Sequence, residues 1–503
     1  MRRRTFLSLS AAAAGVAVVG PYFRGRSYAA GFGDFPSGSG ALLPEGRRAR
    51  RVLEVFLYGG LSPWETLYLV EEFGQPTDPD YPNEQSYTFS NVLGVAQNCG
   101  LTGPDRGQFF AQDADGHDVK LGPFAWRLWN RPDVTARMRL VVQKHALEPH
   151  EAAVPQALTG RPVGQPAAAG LGTHVQRYFV DRGDAARKSP YAYVFATGGI
   201  SGDNVSAAAS TGAHPGAARP LLVKVDNADR LVELLGRPTV GASRADYDAL
   251  MDSYVEQYQR RLRWQGDGEQ VRSARATDLA LAHRTVKNTD AIAGVLDPNL
   301  FDARAGAACG QSRGFDIPGV SLEAARHLLT HPTEPASYVC VSDVGLYEAS
   351  GGGGYDTHDA NSTDTAMNLD NMLRNLLGII NGPDEHDPQK ISLDDTLIIL
   401  NTEFGRTPYA QGQSGRNHHP YGYVTAFIGG PITTAEAGIY GNIRNSGLAG
   451  THITPSENRV GALLGLGIWP FSPEAFAVSD VAGASTEEEA AEMALAHVLG
   501  VTL

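Results

Sequence analysis

Short apolar runs that alternate with helical segments constrain the fold of this chain more than any other feature. The strand candidates are residues 52–58, 139–143, 191–196, 221–225, 338–342, 396–400 and 424–428. The helical candidates are residues 150–159, 242–292, 363–380, 456–467 and 484–499. Strands separated by helical segments of this length favour a largely parallel sheet with helices on both faces. The pattern therefore predicts an α/β fold.

The first 29 residues have the features of an export signal. Arg3 and Arg4, followed by Phe6 and Leu7, resemble a twin-arginine signal, and small residues near position 29 suit cleavage. The apolar run after the arginines is too short and too rich in Ala and Gly to span a membrane. We therefore expect residues 1–29 to be removed during export to the periplasm or the cell exterior. An uncleaved N-terminal anchor is the alternative.

The rest of the chain is predicted to form one domain. Residues 30–50 are rich in Gly, Pro and Ser, which favours a linker or an extended arm. Residues 51–503 fit a single enlarged α/β domain with a helical insertion around 242–292. One face of that insertion carries apolar and aromatic side chains that we expect to be core. They are Tyr247, Leu250, Met251, Tyr254 and Tyr258.

The charge of the chain excludes some classes of partner. The sequence has 42 Lys and Arg against 55 Asp and Glu, a formal net charge of −13, and loss of the five arginines in residues 1–29 moves it to −18. A surface this acidic disfavours nucleic acid and anionic membranes. No later apolar run is long enough for a membrane span. The mature chain is therefore expected to be globular, with no span.

The cysteines give little evidence of a function. Cys99, Cys309 and Cys340 are far apart and lack metal-binding spacing, so at most one disulfide forms and one thiol remains. Cys340 lies in the apolar run SYVCVSDV and is predicted to be a small buried residue.

Four polar clusters, each flanked by glycines or a helix start, stand where ligand sites occur in α/β sheets. They are Gly59, Gly60, Ser62 and Glu65; His145, Glu148, His150 and Glu151; Asp356, His358 and Asp359; and Glu403, Arg406, His418 and His419. Open α/β sheets bind ligands at the carboxyl ends of their strands. We therefore expect several of these side chains to share one site.

The residue types in these clusters suit metal-assisted chemistry. A carboxylate and an imidazole two residues apart, Asp356 and His358, together with a distant histidine are a common way to hold zinc. Arg406 has the forked guanidinium that binds a tetrahedral oxyanion. The combination favours transfer or hydrolysis of an anionic ester.

Each of these residues also has a structural interpretation. Asp356 would cap the glycine turn, and Glu403 would form an ion pair with Arg406. His150 would cap a helix. Of the neighbouring histidines, His419 is favoured as a packed loop residue and His418 as the ligand.

Several motifs resemble a known family. The matching segments, in order, are FLYGGLSPWET (56–66), EPHEAAVPQALTG (148–160), GGYDTHDAN (353–361), NTEFGRTP (401–408), GRNHHPYG (415–422) and GIYGNI (438–443). Together they resemble the domain-of-unknown-function 1501 family, exported proteins grouped with the alkaline phosphatase and sulfatase superfamily. The resemblance implies an alkaline-phosphatase-like, three-layer α/β/α sandwich with a mostly parallel central sheet.

The resemblance also implies a set of site residues. Asp356, His358 and His418 look like the Asp, His, His set of one divalent metal, zinc or manganese. Glu403 and Phe404 stand where the superfamily strand ends in Asp-His, so a second metal loses its imidazole. Gly59 and Gly60 stand where the first superfamily strand usually ends in a metal-binding Asp. The usual family motif GRDH reads GRNH here, and Asn417 removes one more acidic group. The superfamily nucleophile position falls near His150 and Glu151, which offer neither hydroxyl nor thiol.

These observations lead to two functional expectations. The first is a metal-dependent hydrolase of a sulfate or phosphate ester, in which Arg406 steadies the oxyanion and Glu403 is a ligand or general base. His150 would then be the nucleophile or a proton shuttle. The second is a non-enzymatic exported protein that keeps the fold, with or without one structural metal, and binds a polysaccharide or a partner protein.

Overall fold

The computed structural model of the chain describes residues 32–74, 91–165, 168–182, 191–197, 199–212, 219–225, 244–264, 292, 294–296, 298–302, 305–309, 311–346, 353–471 and 475–503. The expected export segment, 1–29, lies outside the described residues, as do residues 265–291 of the expected insertion. None of the described helices is long and apolar enough to cross a membrane.

The strands and helices follow the predicted alternation. The strands are β1 (Arg51–Leu57), β2 (Gln108–Gln112), β3 (Asp118–Leu121), β4 (Met138–Gln143), β5 (Tyr193–Ala196), β6 (Leu221–Lys224), β7 (Ala305–Ala308), β8 (Gln311–Phe315), β9 (Tyr338–Asp343), β10 (Thr396–Asn401), β11 (Gly405–Arg406), β12 (His418–His419), β13 (Tyr423–Gly429) and β14 (Gly438–Tyr440). The helices are α1 (Val92–Asn98), α2 (Trp126–Trp129), α3 (Pro132–Thr135), α4 (His150–Thr159), α5 (Leu171–Arg182), α6 (Gly199–Ala209), α7 (Arg244–Trp264), α8 (Ile317–Leu329), α9 (Asn361–Ile379), α10 (Pro455–Gly465) and α11 (Glu487–Ala494). Every predicted strand has a counterpart among these elements.

Eight strands form one central sheet, in the order β14-β4-β13-β10-β1-β9-β5-β6. β1 pairs in parallel with β10 and β9, so that Val52 lies between Leu397 and Tyr338. β5 is parallel to β9 and β6, and β14 is parallel to β4. Within this sheet β13 is antiparallel to both neighbours, β10 and β4. The predicted α/β fold with a mostly parallel sheet is confirmed.

Hydrophobic cores cover both faces of the sheet. Along β1, Leu53, Val55 and Leu57 point into one core, and Val52 and Phe56 point into the other. Helices α8 and α9 contribute to the first core, and α4, α10 and α11 to the second. Successive side chains of a strand point to opposite faces, so a strand buried on both sides must be apolar throughout. This explains why the central strands are mainly apolar in the sequence, with Glu54 of β1 as a buried exception.

Helix α7, in the expected insertion, contradicts one prediction. Tyr247, Leu250 and Tyr254 are 55%, 67% and 53% exposed, so these side chains are not core. Met251 is partly exposed, and the side chain of Tyr258 lies outside the described residues. The periodicity of the sequence correctly indicated a helix with one apolar face. It carried no information on whether another element covers that face.

The segment before β1 packs along the second core. Ala41 and Leu43 are completely buried, and the Phe32 ring stacks on His174 with centroids 5.8 Å apart. The Trp469 backbone N–H donates to the Gly33 carbonyl at 2.8 Å. The expected arm is therefore held against the domain from Phe32 onward.

The three cysteines form one disulfide and leave one free thiol, which is the arrangement that the sequence allows. Cys99 and Cys309 form a disulfide, which links α1 to the β7–β8 hairpin. Cys340 is a free thiol and is completely buried in β9, which confirms its prediction.

Candidate metal centre

The candidate site lies at the carboxyl edge of the central strands. Gly59 follows β1, Glu403 follows β10, and the loop that carries Asp356 precedes α9. His150 is the first residue of α4. Hydrogen bonds and ion pairs join these elements at one place, so members of all four predicted clusters share a site.

The glycine pair after β1 makes this approach sterically possible. Gly59 and Gly60 have φ values of +109° and +88°, which side-chain-bearing residues rarely adopt. A Cβ atom on Gly59 would lie 2.1 Å from the Asp356 backbone nitrogen, and one on Gly60 would lie 2.6 Å from the Phe404 ring. The two glycines therefore let the Asp356 loop and Phe404 pack directly against the end of β1.

Three imidazoles surround the buried carboxylate of Asp356. Its Oδ1 lies 3.1 Å from His358 Nε2 and 3.5 Å from His418 Nε2, and its Oδ2 lies 3.4 Å from His150 Nε2. The His358 and His418 Nε2 atoms are themselves 3.0 Å apart. The structure thus brings together the three predicted metal ligands, and adds His150 to them.

The other nitrogen of each imidazole is bonded to an oxygen outside the cluster. His150 Nδ1 lies 2.8 Å from Glu403 Oε1, His358 Nδ1 lies 2.7 Å from Gln411 Oε1, and His418 Nδ1 lies 2.9 Å from the Glu148 carbonyl. These oxygens only accept, so each Nδ1 directs a proton outward, and each Nε2 faces Asp356, where it can bind a metal ion once it carries no proton. Metal-ligating histidines are oriented in this way by carboxylates and carbonyls.

The residues present fit a metal ion. The ligand atoms of His150, Asp356 and His418 lie within 4.8 Å of one another. The separations of 3.0 to 3.5 Å among the ligand atoms of Asp356, His358 and His418 match the edge of about 3.3 Å expected for a tetrahedron of ligands around zinc. His150 Nε2 is buried without a hydrogen-bond partner among the described residues. The facing lone pairs of His358 and His418 need a cation, or an added proton, between them.

Arg406 lies behind Asp356 and is completely buried. Its Nη2 donates to Asp356 Oδ1 at 2.5 Å and also to the Gly59 carbonyl. Its Nε donates to the Gly60 carbonyl and its Nη1 to the Arg416 carbonyl. The guanidinium is thus placed to hold Asp356, and the expected ion pair with Glu403 is replaced by one with Asp356. A contact between Arg406 and an oxyanion stays a prediction.

Glu403 has a similar supporting position behind His150. The residue is completely buried, and its Oε1 accepts from the Gly59 N–H and from His150 Nδ1, both at 2.8 Å. Its carbonyl contacts His145 Nε2 at 2.6 Å. The carboxylate therefore orients His150, and its role as a ligand or general base stays a prediction.

The charges around the centre shift the pKa values of its residues in different directions. Burial raises the pKa of Asp356, but the close contacts with the three histidines and the charge of Arg406 outweigh it and hold that pKa well below its usual range. Burial lowers the pKa of His150, yet Asp356 and Glu403 raise it to about 9. Burial, helped by Arg406 and His150, lowers the pKa of His418. Asp356 is therefore ionised at any ordinary pH.

The remaining predicted residues lie outside the ligand set. His419 is buried and its Nε2 contacts the Gly447 carbonyl at 2.8 Å, so it is the packed member of the histidine pair. Glu65 forms a buried salt bridge of 2.6 Å with Arg416, and Ser62 donates to the same carboxylate. This ion pair anchors the segment that ends at His418.

Comparison with known proteins identifies the family of this chain. The family model described as "Protein of unknown function (DUF1501)" matches residues 49–454. The chain belongs to this family. A search of curated proteins finds no match. The family match includes every residue of the centre, from His150 to His418, while α11 lies beyond it.

Some functional contacts of this DUF1501 protein had no signal in its sequence. Gln411 orients His358, but it lies in a polar, glycine-containing loop that the sequence shows only as a connection. The Glu148 contact uses a backbone carbonyl, which every residue has. His150 did have a signal, because it begins a helix in a polar cluster, but the sequence did not indicate that its Nε2 faces Asp356.

Proposed function

We propose that this DUF1501 protein is a metal-dependent hydrolase of a sulfate or phosphate ester, built on one divalent ion. The observation that carries the proposal is the convergence of three imidazole Nε2 atoms on Asp356, each with its Nδ1 bonded outward. Asp356 and His418 would hold the ion, together with His358 and His150. A divalent ion in such a site polarises an ester oxygen and lowers the pKa of water.

The protein's own groups would prepare the site for this chemistry. Arg406 fixes the Asp356 carboxylate, and Glu403 fixes the His150 ring. The His150–Glu403 pair, at 2.8 Å, is also placed to hold and pass a proton. Phe404 and Tyr58 pack their rings against His150, at centroid distances of 5.0 and 5.1 Å, and reduce the access of water. Tyr58 is kept protonated, because burial and Glu403 raise its pKa to about 12.

The finer fold and the location are part of the same proposal. A mostly parallel sheet with cores on both faces and a site at its carboxyl edge supports an alkaline-phosphatase-like sandwich. The Cys99–Cys309 disulfide supports export, since disulfides persist mainly in oxidising compartments. The arginine pair at the N-terminus supports the twin-arginine route.

One observation favours a second candidate, an exported binding protein with a structural metal. The guanidinium nitrogens of Arg406 are all bonded to protein atoms, and the start of α4 offers no hydroxyl or thiol. A site whose polar groups are hydrogen-bonded to one another is complete without a substrate.

Metal content and turnover separate the two candidates. The protein is purified after export in its native host, its zinc and manganese are measured by mass spectrometry, and chromogenic sulfate and phosphate esters are assayed. We expect about one ion per chain and ester turnover, both lost in Asp356→Ala. The exposed residues Asp105 and His386 give matched controls, Asp105→Ala and His386→Ala, which should retain both. A metal-free, inert protein would contradict the hydrolase, and bound metal without turnover would favour the second candidate.

A further inference from the structure

The two arginines at the centre are shielded from solvent. Arg406 and Arg416 are the only Lys or Arg residues in the segments 59–65, 145–151, 353–359 and 401–419. Both are completely buried, and both donate to protein groups, Arg406 to Asp356 and Arg416 to Glu65. The positive side chains of these segments are therefore already neutralised inside the protein.

Exposed acidic residues adjoin the ligands along the chain. Glu151 follows the ligand His150 and Asp359 follows the ligand His358, and both side chains are exposed. Glu148 is also exposed, and its backbone carbonyl accepts from His418 Nδ1 at 2.9 Å. Each histidine of the centre thus has an acidic residue beside it. We name Glu148, Glu151 and Asp359 the acidic rim.

The charge of the rim can be compared with that of the centre. Inside, Asp356 and Glu403 carry two negative charges and Arg406 one positive charge, so a divalent ion leaves the centre with a single positive charge. That charge suits one anionic group bound at the ion. The three rim carboxylates then repel any further negative charge on the rest of the ligand, over a distance set by the Debye length.

From this arrangement we infer that the ligand of the centre has one anionic head group on a neutral or cationic organic body. The inference rests on the proposed metal site, and it names the substrate class of the proposed hydrolase. Polyanionic esters, such as nucleotides and heavily sulfated glycans, are excluded by the rim. Esters of neutral sugars, of simple phenols or of amino-bearing alcohols are accepted.

Binding of three arylphosphonates tests the inference without requiring turnover. The probes are phenylphosphonate and its derivatives with a trimethylammonium or a carboxylate group at the far end of the ring. Their Kd values for the zinc-loaded full chain are measured by calorimetry. At about 20 mM salt we expect the carboxylate probe to bind at least tenfold more weakly than the trimethylammonium probe. At about 500 mM salt, where the Debye length falls to a few Å, the ratio should approach one.

Variants of the rim assign the effect to particular residues. In the double variant Glu151→Gln, Asp359→Asn, the ratio at low salt should fall at least threefold. The charge-matched control Glu492→Gln, on the exposed side of α11, should leave it unchanged. Equal affinities for the charged probes, a ratio that survives in the double variant, or no binding of any phosphonate would overturn the inference. Binding in the expected order without turnover of any ester would refute the hydrolase and leave the ligand class standing.

Discussion

Two polar clusters, one within the central sheet and one at its carboxyl edge, differ in how completely their atoms are bonded. Within the sheet, Glu54 of β1 has both carboxylate oxygens occupied: Oε1 by Arg459 and Asn401, at 2.6 and 3.0 Å, and Oε2 by the Tyr338 hydroxyl at 2.6 Å. At the carboxyl edge, His150 Nε2 has no partner among the described residues, and the Nε2 atoms of His358 and His418 face each other.

The comparison shows how a structural network differs from a ligand site. Burying a polar group costs free energy unless it is hydrogen-bonded, so a network that serves only the fold uses its donors and acceptors internally. Imidazole nitrogens that face one another without a hydrogen-bond donor are tolerated only where a cation or an added proton lies between them. The Glu54 network therefore stabilises the fold, and the edge cluster is placed to bind a cation.

The largest expected effect comes from breaking the interior network. Glu54→Gln would leave Arg459, which is 1% exposed, without its ionic partner in a buried position. We expect the free energy of unfolding to fall by about 3–5 kcal/mol, as measured by urea titration. The double variant Glu54→Gln, Arg459→Met should recover most of this loss, because it buries no unpaired charge. A loss below about 1 kcal/mol in the single variant would contradict the structural role of the network.

A buried histidine away from the centre gives the next effect, through pH. His174 lies between the rings of Phe32 and Phe476, and burial, with Arg177 and Arg161, lowers its pKa to about 3. The unfolded chain binds a proton near pH 6.5, so stability is present above that pH and is lost as the pH falls toward 3. The expected slope is about 1.4 kcal/mol per pH unit.

The variant His174→Phe isolates this contribution. It keeps an aromatic ring between Phe32 and Phe476 but cannot bind a proton, so its free energy of unfolding should fall less steeply between pH 6.5 and 4.5. His386→Phe, at an exposed position, is the matched control and should follow the wild type. Identical slopes for wild type and His174→Phe would show that His174 is not the acid-sensitive group.

The sequence was sufficient for the fold because the central strands are buried on both faces. Within β10 and β9, residues 397–400 and 339–341 are apolar throughout, and no competing helical period obscures them. It failed for the apolar face of α7, where Tyr247 and Tyr254 are exposed. A period of 3.6 residues shows which side of a helix is apolar, but it does not show whether another element buries that side.

For the centre, the sequence indicated the residue types but not the direction of each side chain. Asp356, His358 and His418 were expected together, and the structure brings them together. Arg406 was expected to steady an oxyanion, which stays a prediction, and the structure shows it completely buried and bonded to Asp356. This placement arises from Gly59 and Gly60, which bring two carbonyls to the guanidinium, a tertiary contact that no local pattern encodes.

The supporting position of Glu403 predicts an effect on metal affinity. Glu403→Ala removes the acceptor of His150 Nδ1, so the ring is no longer held with its Nε2 toward Asp356. We expect zinc affinity to fall by about 10–100-fold, as measured by competition with a fluorescent chelator. Glu72→Ala, which removes an exposed carboxylate, is the control. Unchanged affinity in Glu403→Ala would mean that His150 takes no part in holding the ion.

The smallest expected effect lies on the surface of α7 and completes the comparison with the buried network. Arg260 and Glu256 form an ion pair of 2.8 Å, as short as many buried ones, but their side chains are 61% and 65% exposed. Water solvates both charges whether or not they meet, so Glu256→Ala should change the free energy of unfolding by less than about 0.5 kcal/mol. The test is a urea titration beside Glu54→Gln. If the exposed pair contributed as much as the buried one, distance rather than burial would determine the energy of these ion pairs, and the distinction between the two regions would fail.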